Sequence, residues 1–275
     1  MSKFVINNEK IGKYNINLEL DKGMYAIVSN YKWITRDLLL TLSGVLKSEN
    51  CTYNDNLIFD NKDYFKKRIL IDFDKEHINT LESLKIKKNL LENYNLKFDD
   101  QKFKALIKET NLRNEVVIND KYFTDYGKYL SNACLALSLN TLNMFIMNFD
   151  IDDDAHKLVI DSIKKKVLTD LKNNDDLENA FIECSSVDLI NKYFDKVIIL
   201  TDYDDAYVID HKREDFVFTY DNIKLKNKLF NCGEFVYTKN SYTKDELKEL
   251  KKNQKCEIHS FKEMLEVVSR YNRGK

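Results

Sequence analysis

Residues Phe4 to Asn7 and Tyr14 to Leu20 alternate apolar with polar positions, the period of half-buried strands, and Tyr25 to Val28 is a short apolar run. The chain therefore opens on strands. From Ile34 to Leu46 the apolar residues Ile34, Leu38, Leu39, Leu42, Val45 and Leu46 fall at helical spacing, so strand, loop and helix follow one another. Ile69 to Phe73 predicts a further buried strand. About Ile78 to Leu139, spacing is helical almost throughout, as at Leu81, Leu84, Ile86, Leu90 and Leu91. Met144 to Met147 and Val197 to Leu200 are buried-strand runs, Ala180 to Ile182 is a weaker third, and each follows a helical stretch. Alternation of this kind predicts a parallel sheet.

Beyond Tyr207 short strand candidates precede two helices with S/T-x-x-E starts, Thr243 with Glu246 and Ser260 with Glu263. This tail predicts a small βαβα extension over 213–275, appended to a domain of residues 1–212 whose helical subdomain spans about 78–140. With 275 residues, 43% of them hydrophobic, the chain can bury a sizeable core. Lys and Arg number 44 against 45 Asp and Glu, a balance that offers no broad cationic field, so nucleic acid is not an expected partner.

Cys51, Cys134, Cys184, Cys232 and Cys256 are odd in number, and no C-x-x-C pair occurs, which reads as free thiols in a reducing compartment. No stretch of about 18 apolar residues and no apolar leader core is present, so a cytoplasmic protein is expected. Zero prolines, six glycines and abundant Lys, Asn, Ile and Tyr follow the codon bias of an AT-rich genome, so Asn- and Lys-rich stretches are weak evidence for loops.

Local text resembles the ABC-transporter ATPase family over about residues 5–212. Lys22 to Val28 resembles the strand entering that family's phosphate loop, and Leu38 to Leu46 its following helix. Between them the family has G-x-x-G-x-G-K-[ST]-T, whereas this chain reads Ser29-Asn30-Tyr31-Lys32-Trp33-Ile34-Thr35-Arg36-Asp37, with no glycine between Gly23 and Gly44. A phosphate cradle needs glycines to let backbone N–H groups converge on the anion, a lysine for the β- and γ-phosphates, and a hydroxyl for Mg²⁺. Thr35 falls at the lysine position and Arg36 at the hydroxyl position; Lys32, Thr35 and Arg36 leave room only for a residual anion site.

Phe123 to Leu137 resembles the signature segment and the helix behind it, with only Gly127 kept from L-S-G-G-Q. The resemblance implies that Asp125 would face a phosphate held by an opposite subunit, a repulsion of roughly 1–4 kcal/mol at about 4 Å. Met144 to Asp150 resembles the strand ending in D-E-P, placing Asn148 at the metal-binding aspartate and Phe149 at the catalytic glutamate. A phenyl ring neither takes a proton nor polarises water. Ile182 to Val187 resembles the strand end that carries the switch histidine, with Ser185 in its place, and Asp195 to Leu200 resembles the strand after it. No glutamine precedes Asp100, so the glutamine loop expected after Phe73 lacks its residue, and Ser260 to Leu265 loosely resembles an exporter-subunit ending.

The implied fold is α/β, an ABC-ATPase-like mixed sheet with N-terminal antiparallel strands. The implied function is that of a catalytically inactive subunit, structural or regulatory, paired with an active ABC ATPase subunit, docked to a membrane permease, or forming a homodimer, and peripheral at the inner membrane face through that partner. No cofactor is expected, with ATP and Mg²⁺ bound weakly at most. The competing expectation is a nucleotide sensor or enzyme rebuilt around Lys32, Thr35, Arg36 and Asn148.

Asp150, Asp152, Asp153, Asp154 and His156 could be taken for a metal cluster. An EF-hand counted from Asp150 would have Ala155 for its glycine and Asp161 for its glutamate, so capping of a helix from Ala155 to Leu171 is the better account. Asp202 to Asp205 reads as a hairpin turn. His77, His156, His211 and His259 share no ligand spacing, and structural or surface roles are expected of them. Trp33, the only tryptophan, is expected in the core rather than filling the vacated site or anchoring a partner, and the Lys-rich stretch from Asp245 to Lys255 is expected to be a solvated helix face.

Overall fold

The computed structural model describes residues 3–12, 14–29, 31–74, 80–93, 97–115, 122–150, 156–200, 206–210, 216–220, 228–232, 235–239, 242–253 and 256–273. Strands β1 (Phe4–Ile11) and β2 (Tyr14–Leu20) form an antiparallel hairpin, and β2 buries every second residue as its alternation predicts. Between them Gly12 takes φ +59, a conformation that glycine adopts without strain. β3 (Gly23–Ser29) then leads into α1 (Lys32–Leu42).

The expected helix from Ile34 to Leu46 ends four residues early. Gly44 turns left-handed at φ +73, Val45 N donates to Leu40 O at 2.9 Å, and Val45 and Leu46 are left exposed. The periodicity continued across a residue that stops a helix. β4 (Cys51–Tyr53) and β5 (Asn56–Leu57) complete a four-stranded antiparallel sheet of order β2-β1-β4-β5.

After α2 (Lys62–Phe65) and β6 (Arg68–Asp72) come α3 (Leu81–Asn93), β7 (Lys97–Phe98), α4 (Asp100–Glu109), a 3-10 turn at Leu112–Glu115, α5 (Asp125–Ser138) and β8 (Leu139–Asn140). This is the stretch with helical spacing, broken by one short antiparallel ladder, β7 with β8. β9 (Asn143–Met147), α6 (Lys157–Lys172), β10 (Asn179–Glu183), α7 (Val187–Tyr193), β11 (Lys196–Leu200) and β12 (Ala206–Asp210) follow.

Among the described residues the main sheet has the order β12-β11-β3-β10-β9-β6; every pair is parallel except the antiparallel β11–β12. Its two faces feed different cores. Ala26, Ile146, Ile182 and Ile199 face the helices α5, α6 and α7, while Tyr25, Phe145, Phe181 and Ile198 face α1 and the N-terminal sheet. On the second face three rings stand in register across β3, β10 and β9. Phe181 stacks on Tyr25 at 5.0 Å and on Phe145 at 5.3 Å, and Phe4 of the other sheet meets it edge-on at 5.3 Å.

The tail differs from the expected βαβα order. Three strands, β13 (Phe216–Tyr220), β14 (Lys228–Cys232) and β15 (Phe235–Lys239), precede α8 (Lys244–Asn253), β16 (Glu257–His259) and α9 (Phe261–Arg273). They pair antiparallel in the order β14-β15-β13-β16. Both capping boxes form: Thr243 N donates to Glu246 Oε2 at 2.9 Å and Ser260 N to Glu263 Oε2 at 2.8 Å. Phe261, Met264, Leu265 and Val268 of α9 join the same core cluster as Ile190 of α7, and Lys262 pairs with Asp188 at 3.1 Å across that contact. Among the described residues no helix is long and apolar enough to cross a membrane.

Candidate functional site

The carboxyl ends of β3, β6, β9 and β10 converge at the start of α1, the place where open α/β sheets bind ligands. Residue by residue, the loop into α1 is closed in on itself. Ser29 Oγ accepts from Tyr31 N at 3.1 Å and donates to Tyr31 O at 3.2 Å, while Ile34 N donates to that same carbonyl at 3.1 Å. No side chain caps the helix, and its first turn carries no acidic residue.

Thr35 is 2% exposed, so its hydroxyl is turned inward, whereas Arg36 and Lys32 lie at the surface. Trp33 corrects its expectation. It is 46% exposed and its ring lies against the hairpin turn, so close that a Cβ at Gly12 would come within 2.3 Å of Cη2. A bulky ring at the second position of α1 has no room beneath the sheet once Ile34 and Leu38 fill that space.

The strand ends carry carboxylates that the sequence reading did not single out. Asn148 follows β9 in the left-handed conformation, φ 52; its N–H donates to Glu183 Oε2 at 2.8 Å and its Nδ2 to Asp72 Oδ1 at 2.8 Å. Burial pushes the Glu183 carboxyl above its ordinary range, and the Asn148 N–H and the charge of Lys32 pull it back part of the way.

A carboxyl group raised in the folded state contributes stability that is present below its unfolded value and lost as pH rises through the folded one. Glu183→Gln keeps an oxygen to accept from Asn148 and removes the buried charge. It is expected to raise the melting temperature at neutral pH, with the two melting curves converging as pH falls below the ordinary 4.5. Melts across that range, in which the variant was no more stable at neutral pH, would contradict the assignment.

Phe149 is fully buried and packs on Phe73 at 5.5 Å, so it lies in the core and away from the cleft. The next residue, Asp150, is the one that reaches the site. Its Oδ1 accepts from Lys164 Nζ at 2.8 Å, and its Oδ2 accepts from Ser185 Oγ at 2.9 Å and from Ser185 N. Ser185, at the switch position, is therefore held by Asp150.

Lys164 interrupts the buried stripe Ile160, Val167, Leu168 and Leu171 of α6, and a lysine on an apolar stripe is the signal that could have revealed it. Asp72 and Glu183 carry a signal too, since each ends an apolar run at a strand terminus.

In the signature-like segment, Thr124 caps α5 by accepting from Gly127 N at 3.0 Å, and Asp125, widely exposed, pairs with Lys128 at 2.9 Å. Gly127 has a packing reason: a Cβ there would meet Glu115 Cβ at 2.8 Å and Glu115 O at 3.1 Å. The structure brings Asn148 and Ser185 together with Glu183 and Asp150, buries Thr35 and Phe149, and leaves Lys32 and Arg36 exposed on α1.

The metal reading loses its described members, since Asp150 is paired with Lys164 and His156 stacks on Tyr126 at 4.6 Å; Asp152, Asp153 and Asp154 lie outside the described residues. His77, His211 and the turn Asp202 to Asp205 also lie outside them, although β11 and β12 pair as its flanking strands should. Among the described residues no group of three or more His, Cys, Asp or Glu could hold a metal ion, and Cys51, Cys134, Cys184 and Cys256 are free and buried.

The mixed α/β architecture is similar to the ABC ATPase fold. The particular likeness is to a solved structure provisionally described as a cobalt transport ATP-binding protein (cbiO-2), with a TM-score of 0.55 and 15% sequence identity over 89% of this chain and 94% of that one. At that identity the likeness establishes the fold alone. No family model matches the sequence, and no curated protein does.

Proposed function

We propose that the chain is a catalytically inactive protein on the ABC ATPase fold, serving as a structural or regulatory subunit of a transporter or another membrane-associated complex. The observation that carries this reading is how the polar groups at the strand ends are used: Asn148 donates to Glu183 and to Asp72, and Asp150 accepts from Lys164 and Ser185, so the donors a phosphate would need are committed within the protein. The residues present do not fit a nucleoside triphosphate with Mg²⁺. The Lys32 charge acts on Glu183, the Asn148 amide is engaged by Asp72, and the Thr35 hydroxyl is buried.

The same amide and hydroxyl weaken the competing reading of a sensor or enzyme rebuilt at these positions. Asp125 extends the argument to a facing subunit, whose phosphate it would repel. The neighbour's description as a transport ATP-binding protein supports a permease or an active ATPase subunit as the partner.

Calorimetric titration of the full chain with ATP and Mg²⁺ is expected to give affinity no tighter than millimolar, about −4 kcal/mol. Micromolar binding, or measurable phosphate release, would overturn the proposal.

A further inference from the structure

Strand β6 is the last strand on one side of the main sheet. Among the described residues it pairs only with β9. Asn143 N donates to Lys67 O at 2.9 Å and Phe73 N to Met147 O at 3.0 Å, which fixes the parity of the ladder. Because successive residues of a strand alternate sides, Ile69 and Ile71 bond to β9, and Arg68, Leu70 and Asp72 direct their N–H and C=O groups outward. None of those outward groups has a hydrogen bond among the described residues.

A cavity of about 500 Å³ runs along this edge past Arg68, Ile69 and Leu70, walled by Lys87 and Leu91 of α3 and ended by Lys62, Phe65 and Lys66 of α2. Lys62, Lys66 and Lys87 are exposed. Arg68 lies 4.9 Å above the Phe65 ring, and its Nε is buried without a hydrogen-bond acceptor. Burial also lowers its pKa, the mark of a cation that lacks an anion. An open strand edge is a template for another strand, and Lys62, Lys66 and Arg68 beside it select one that is acidic.

We propose that the β6 edge binds an extended acidic segment of a partner protein by strand addition. Main-chain pairing with Arg68, Leu70 and Asp72 supplies the register, and carboxylates on the added strand meet Arg68 and Lys66. A second copy of this chain is the less favoured occupant. An antiparallel copy centred on Leu70 would set Arg68 opposite Asp72, whose carboxylate is already engaged by Asn148 Nδ2 at 2.8 Å. The inference goes beyond the proposed function and does not rest on the loss of nucleotide binding.

The test uses the full chain and a capped, fluorescein-labelled peptide, EVEVEVE, followed by fluorescence anisotropy. Saturable micromolar binding is expected, weakened at least about tenfold when alternate peptide amides are N-methylated, since that removes the pairing donors and keeps the charge. Leu70→Pro should weaken it as much, because the lost N–H lies on the open side and pairing with β9 is retained. Lys66→Glu should weaken it further at low salt.

No saturable binding overturns the proposal, as does equal binding of the N-methylated peptide or of KVKVKVK. Displacement of the peptide by anionic vesicles or RNA, unaffected by Leu70→Pro, overturns it in favour of a simple anion patch. A dimer in sedimentation that Leu70→Pro dissociates assigns the edge to a second copy and overturns it too. Tight ATP binding would defeat the proposed function and leave these readings unchanged.

Discussion

Phe181→Ala should destabilise the protein by about 3–5 kcal/mol, the usual cost of removing a buried phenyl ring and leaving a cavity. The ring is fully buried on the central strand β10, between Tyr25 and Phe145, and receives the edge of Phe4 from the N-terminal sheet. It thus joins two sheets as well as three strands, so little can collapse into the void. Against a typical stability of about 5–15 kcal/mol, that loss is large enough to lower soluble yield at growth temperature. Urea denaturation measures it. A loss below about 1 kcal/mol would mean that the ring ladder does not hold the two sheets together.

Lys164→Met should cost about 3 kcal/mol, the lower end for breaking a buried ion pair, because Asp150 keeps its two bonds from Ser185. The lysine side chain is 8% exposed and its aliphatic stem already lies among apolar residues, so methionine fits the space. What remains is a poorly solvated carboxylate without its cation. Combining Lys164→Met with Asp150→Asn should recover much of the loss, and a double-mutant cycle by denaturation reads the coupling. Strictly additive single losses would show that the two charges do not depend on one another.

The strands of the main sheet were legible wherever an apolar run had length. Met144 to Met147 and Val197 to Leu200 are buried on both faces and gave continuous apolar text. Ala180 to Ile182 read as the weakest strand and proved to be the central one, because Asn179 and Glu183 at its ends belong to the site and to a buried amide contact rather than to the core.

The helix end at Leu42 was hidden for a different reason. Periodicity describes a face, and only the left-handed Gly44 shows where the face stops. In the tail, the capping boxes at Thr243 and Ser260 were readable because they are local, while the number of strands ahead of them depended on antiparallel pairings across the tail.

In the candidate site the residue types were legible and their pairing was not. The glycine-free loop, Asn148 and Ser185 are visible residue by residue. That Asn148 bonds to Glu183, and Lys164 to Asp150, depends on partners 14 to 35 positions away. Phe149 shows the limit most clearly. Alignment with the family placed it in the catalytic position, yet its ring turns into the core and Asp150 takes the cleft.

The placement of Trp33 gives this chain an optical handle. A single indole sits at the mouth of the cleft, 46% exposed, on the turn at Gly12 and 6.3 Å from the ring of Tyr31. Its emission carries no background from any other tryptophan. Whatever settles against the start of α1, whether anion, peptide or partner subunit, must change the solvent around that ring. The wild-type protein therefore reports occupancy at the start of α1 as a shift in colour, without a label.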